Sequence, residues 1–157
     1  MTREIYLAVA PTVYTMLLET SEPAIVQSCT ELLRTFLQRA GATMLSWGGP
    51  TAAADPEAAA LDALLRATAH VLNPNLDEMA AMFAGGLLLQ MFRSLPTQLA
   101  PALPGLLRLL GAKIVAAKVE AIRGQLLAVF ARYASPMYLS VHVCARGVYI
   151  KRNGRNE

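Results

Sequence analysis

Apolar residues recur at three- and four-residue steps along most of the chain, with polar residues between them on the opposite side of each turn. The clearest case follows Ser21-Glu22-Pro23. Ile25, Cys29, Leu32, Leu33, Phe36 and Leu37 make one stripe, and Gln27, Glu31, Arg34 and Gln38 make the other. The spacing predicts an amphipathic helix of about 17 residues, opened by Ser21 or Glu22 with Pro23 and closed by Gly41. An earlier helical region ends near Glu19. Gly48, Gly49 and Pro50 mark a loop, after which Asp55-Pro56-Glu57 starts a helix. Leu61, Leu64, Leu65 and Leu72 line one face of it, with Thr68 the polar member. It stops at Asn73-Pro74-Asn75, because a residue before proline is pushed out of the helical region.

Three more helices are expected. Asn75 caps one that runs to about Ser94, with Glu78 completing a reciprocal capping box. Asp77 and Glu78 also suit the positive end of its dipole. Gly85 and Gly86 inside it each cost about 1 kcal/mol relative to alanine, a cost that fits close packing by another helix. A shorter helix covers about Thr97 to Leu110, with Pro101 and Pro104 near its first turns. The last, residues 113–134, aligns Val115, Val119, Ile122, Leu126, Val129, Phe130 and Tyr133. Shorter and longer helices alternate, and the longer ones begin near residues 23, 76 and 114, in steps of about 53 and 38 residues that bracket paired-helix repeats. The expected fold is therefore all-α, an α-solenoid of about three antiparallel helix pairs over residues 1–134. Residues 135–157 form a non-repeat basic tail whose first part alternates and is β-branched.

Composition sharpens this in one respect. The chain is 55% hydrophobic and 16% charged, oilier than an average soluble domain. Yet its longest strongly apolar run without charge, Met79 to Phe92, falls short of the about 20 residues that a bilayer span needs. The start, MTREIYLAVAPTVYTMLL, carries Glu4 beside Arg3 and is interrupted by Tyr6, Pro11 and Tyr14, so it reads as helix rather than signal peptide. Cys29 and Cys144 lie far apart without metal-ligand spacing, which suits a reducing compartment. Residues 1–112 hold six basic and nine acidic side chains, whereas 113–157 hold eight and two, so the basic excess belongs to the end of the chain.

Catalytic patterns are missing from the sequence. His70 lies near a helix end, where capping or surface roles prevail. His142 and Cys144 share one side of an alternating segment, but two groups do not complete a zinc site, and no third group orients them as nucleophile and base. Gly48-Gly49 and Gly85-Gly86 lack the spacing and lysine of a phosphate loop. Trp47 reads as a staple between helices, and the basic run at Lys151 to Arg155 as a solvated terminus. The expectation is a protein with no enzymatic activity, no cofactor and no metal.

Several stretches together resemble the importin-β (karyopherin) family, most of all the carboxy-terminal HEAT repeats of its members. They are the helix containing Cys29-Thr30-Glu31-Leu32-Leu33-Arg34, the Val71-Leu72-Asn73-Pro74 corner, Ala84-Gly85-Gly86-Leu87, and Leu127-Ala128-Val129-Phe130-Ala131-Arg132. The likeness covers residues 10 to 134. It implies a segment of a nuclear transport receptor that shuttles between cytoplasm and nucleus and carries protein cargo, including basic histone-like or ribosomal proteins. Cargo release in that family follows binding of the small GTPase Ran, whose main surface lies in amino-terminal repeats outside this segment. No direct nucleic-acid contact and no membrane span are implied. No family site residue maps onto the chain, but Glu31, Asp55, Glu57, Asp62, Asp77 and Glu78 are the acidic candidates for basic cargo. Two readings of the tail stay open, an alternative ending and an intron read through in the gene model. The rival functions are a freestanding helical adaptor and, more distantly, a membrane-associated protein or an enzyme.

Overall fold

A computed structural model describes residues 2–48 and 54–134; His142, Cys144 and the tail lie outside them. The described residues are helices joined by turns and short extended links, without strands. In chain order the helices are α1 (Arg3–Glu19), α2 (Pro23–Ala40), α3 (Thr43–Ser46), α4 (Pro56–Val71), α5 (Ala84–Ser94), α6 (Pro96–Leu99), α7 (Leu103–Ala116) and α8 (120–134). No described helix is long and apolar enough to cross a membrane.

The helices pack as antiparallel neighbours whose like members then lie side by side. Tyr6 near the start of α1 meets Phe36 near the end of α2, edge to face at 5.4 Å. Between successive pairs the contacts run in parallel register. Arg34 of α2 lies beside Gly86 of α5, and Ser94 at the end of α5 donates to the Leu37 carbonyl near the end of α2. Gly85 of α5 faces Gln125 and Val129 of α8, while Phe92 packs against Tyr133 farther along both helices, their rings tilted by 43° with centroids 4.2 Å apart. Helix α1 contacts α4 in the other layer. One continuous apolar core runs through these interfaces, from Tyr6 and Leu17 through Leu33, Leu64 and Leu88 to Leu126. Trp47 lies 5.5 Å from Tyr6 and does staple the end of this corner to α1.

Buried hydroxyls are treated differently in different helices. Thr30 and Thr68 bond back to the Val26 and Leu64 carbonyls one turn earlier, so both are satisfied inside the core. Tyr6 and Tyr14 are just as buried, but neither hydroxyl has a partner of good geometry. Burial pushes both phenols up in pKa. Each hydroxyl has the other beside it, so removing one alone strands its neighbour, whereas replacing both, Tyr6→Phe with Tyr14→Phe, is expected to stabilise the fold by about 1 kcal/mol. A higher melting temperature in circular dichroism would show it.

Four helix boundaries differ from the sequence expectation, the first being the helix expected over about Thr97 to Leu110, which is split by a turn into α6 and α7, with α7 running past Leu110. The cap of α2 is not made by a side chain of Ser21 or Glu22; instead Thr20 Oγ1 accepts from the Glu22 amide. The helix expected from Asn75 begins only at Ala84, and residues 73–83 form successive turns with three-residue hydrogen bonds. The helix expected over 113–134 is broken, since α7 continues to Ala116 and Ala117 is extended. The alternation of short and long helices therefore fails as well: α1, α2 and α4 are of similar length, and α5 is shorter than α4.

The turns at 73–83 and the break at 117–119 have one cause, a link between the 73–78 corner and the α7–α8 junction. Lys113 is fully buried, and its Nζ donates to the Asn73 and Leu76 carbonyls at 2.9 and 2.7 Å. The Leu76 carbonyl is thereby held outside a helical ladder. Glu78, expected to cap its own helix, accepts instead from the backbone amides of Lys118 and Val119 at 2.7 and 2.6 Å. Those amides would otherwise continue α7. The carboxylate thus ends one helix and positions the start of the next.

Candidate functional site

The glycine pair in α5 opens the side of the stack. Gly85 is buried against α8, where an added Cβ would sit 3.7 Å from Val129 and 3.9 Å from Gln125. Gly86 is exposed, and a Cβ there would come within 3.3 Å of the Arg34 stem. The second helix is therefore in ordinary contact at Gly85, with room for an alanine, and the tighter approach is at Gly86, where the Arg34 stem of α2 would have to give. Beside the pair, Gly85, Gly86 and Leu89 of α5 and Gln125, Ala128, Val129 and Arg132 of α8 line a groove of about 390 Å³. That volume is at the lower end for a binding cleft. Its floor is apolar, and its polar groups are Gln125 and the Arg132 guanidinium.

The one charged side chain lining the groove is Arg132, which is exposed. Arg93, exposed in the last turn of α5, lies one heptad after Gly86, on the side of that helix that faces Arg34 of α2. Among the described residues, neither makes an ion pair; the pairs found are Arg34 with Glu31 and Arg66 with Asp62. The Glu31 carboxylate, hydrogen-bonded by Arg34, is held below the usual carboxylate range.

The acidic residues expected to meet basic cargo do not gather in one constellation of mutual contacts, and most are engaged within the fold. Glu31 pairs with Arg34 one turn on, and Asp62 with Arg66 at 2.9 Å. Asp55 caps α4 by accepting from the Ala58 amide at 3.0 Å, and Glu57 sits exposed in the first turn of the same helix. Asp77 accepts from the Met79 amide at 2.8 Å. Glu78 holds the α7–α8 junction. His70 bridges the helix pairs, its Nε2 3.3 Å from the Thr20 carbonyl at the α1–α2 corner. Cys29 is buried, which pushes its thiol up in pKa, away from the reactive thiolate. Among the described residues, no three metal-ligating side chains cluster.

Glu78 gives the site a defined acid response. The Val119 and Lys118 amides hold its carboxyl below the usual range, with the charges of Lys113 and Lys118 assisting and the little desolvation opposing. A folded pKa below the unfolded one means that the bond stabilises fully above the unfolded value, about 4.3, and is lost as pH falls through the folded value. Glu78→Gln should lower the melting temperature at pH 7 and make its decline on acidification shallower. Parallel pH series of wild type and variant, with identical slopes, would contradict this.

Sequence reading missed Lys113 and the place of Arg132 at the groove. A signal for the first exists, because Leu106, Leu110, Lys113 and Ala117 share one buried stripe at helical spacing. Arg132 carries no such signal, since its place beside α5 depends on the register between α5 and α8. No family model, no curated protein and no solved structure matches this chain.

Proposed function

We propose that the chain is a protein-binding segment of a HEAT-repeat solenoid that acts in Ran-dependent import of proteins into the nucleus. The observation that supports it is the parallel register of successive helix pairs, α2 on α5 and α5 on α8, with α1 on α4 in the second layer. Stacking of this kind lets each pair bury its apolar faces against the next and leaves grooves between like helices. Apolar side chains that remain uncovered on α1, among them Ile5, Val9 and Met16, fit a surface that meets further protein. The chain works by shape in this reading, holding a partner along the inner layer while small shifts between pairs change its affinity.

Immunoprecipitation of the endogenous product, with and without Ran loaded with GTP, tests the transport part. Release of bound nuclear proteins on adding Ran-GTP is expected. Partners retained equally in both conditions would favour a freestanding adaptor over a transport receptor.

A further inference from the structure

We infer that a second, smaller pocket, at the end of α8, is filled by the chain's own next segment, one side chain of Met137-Tyr138-Leu139 entering it. The segment thereby covers the apolar edge at this end of the stack. Phe92 of α5, Pro96 and Leu99 of α6, Ala100, Leu103 of α7 and Tyr133 of α8 line the pocket, whose volume is about 160 Å³. Its walls are apolar apart from the Tyr133 hydroxyl, and it opens beside Pro96 and Ala100, both exposed. An apolar cavity of about 150 Å³ stays dry and accepts a group the size of benzene. The pocket therefore suits one large apolar side chain and offers nothing to pair with a charged ligand. Position and length select the occupant. Tyr133 forms part of the wall, and the sequence continues from Ala134, the last described residue, to Glu157. The run Ser135 to Cys144 holds no Asp, Glu, Lys or Arg, and it brings Met137, Tyr138, Leu139, Val141 and Val143. From Tyr133 to Tyr138 the backbone spans up to about 17 Å, so these side chains start within reach of a pocket that Tyr133 itself borders. A tethered group acts at an effective concentration of about millimolar, so a contact too weak to hold a separate partner suffices here. A repeat stack also needs its terminal apolar edge covered, which such a segment would do.

The test uses the whole chain and limited chymotrypsin digestion, which cuts after Tyr138 and Leu139 when they are accessible. Wild type is expected to be cut there about tenfold more slowly than Ala100→Trp, which fills the pocket from an exposed position. Trypsin cleavage at Lys151 and Arg152, beyond the docking residues, should be equal in both chains. A second measurement needs no variant. In the NMR spectrum of the wild-type chain, nuclear Overhauser effects are expected from the side chains of Met137 to Leu139 to those of Leu99 and Leu103. Equally rapid chymotryptic cutting of wild type and variant overturns the inference. So does protection that survives Ala100→Trp, or Overhauser contacts from residues 137–139 only to residues outside the pocket. None of these outcomes bears on the proposed function, which the immunoprecipitation with Ran-GTP decides separately.

Discussion

Lys113→Met destabilises the chain by about 3 kcal/mol, because it removes a fully buried side chain whose charged hydrogen bonds hold the Asn73 and Leu76 carbonyls. The Leu76 carbonyl then loses its partner inside the protein core, while Asn73 keeps its bond from the Leu76 amide. Methionine matches the lysine stem in length and apolar character, so lost packing contributes little. Desolvation already depresses the Lys113 pKa, with the carboxylates of Glu78 and Asp77 pulling the other way, and the carbonyl bonds compensate the buried charge. For a chain of this size the loss corresponds to roughly 10 °C in melting temperature. Lys118→Met, on an exposed neighbour of the same charge, should stay within about 0.5 kcal/mol. Equal effects of the two substitutions in urea denaturation would show that the 73–78 corner is not held by Lys113.

Leu88→Ala is expected to cost about 3 kcal/mol. Leu88 is fully buried in α5, the helix that packs against both α2 and α4, so truncation removes apolar contacts and leaves a cavity that the neighbouring helices only partly fill. Leu127→Ala makes the same chemical change on the half-exposed side of α8 and should cost no more than about 0.5 kcal/mol. Urea midpoints for the two variants at unchanged slope distinguish the cavity mechanism from a general loss of helix propensity. Similar losses in both would contradict the arrangement of α5 as a central helix.

The all-helical class and the bodies of α2 and α4 were legible because their signals are local. Pro23 and Gly41 bracket the first, and Asp55-Pro56 opens the second with the cap bond that the residues predict. What the sequence conceals is the 73–83 turn and the 117–119 break. Asn75, Asp77 and Glu78 have the composition of a helix start, and the run from Lys113 to Ala134 has an unbroken helical period. Each local preference is overridden by bonds between residues 37 to 41 positions apart, Lys113 to the corner carbonyls and Glu78 to the next junction. Gly85-Gly86 did point to a second helix nearby. That Gly85 meets α8 while Gly86 meets α2, and that Arg132 therefore borders a groove beside the pair, follows from packing between pairs, which no local pattern encodes.

The size of the endogenous product, detected with an antibody raised against residues 56–110, tests the central claim most directly. A receptor segment predicts a band far above 16.9 kDa, carrying these helix pairs within a longer stack. A product of 16.9 kDa alone would contradict the receptor reading and put the small helical adaptor in its place.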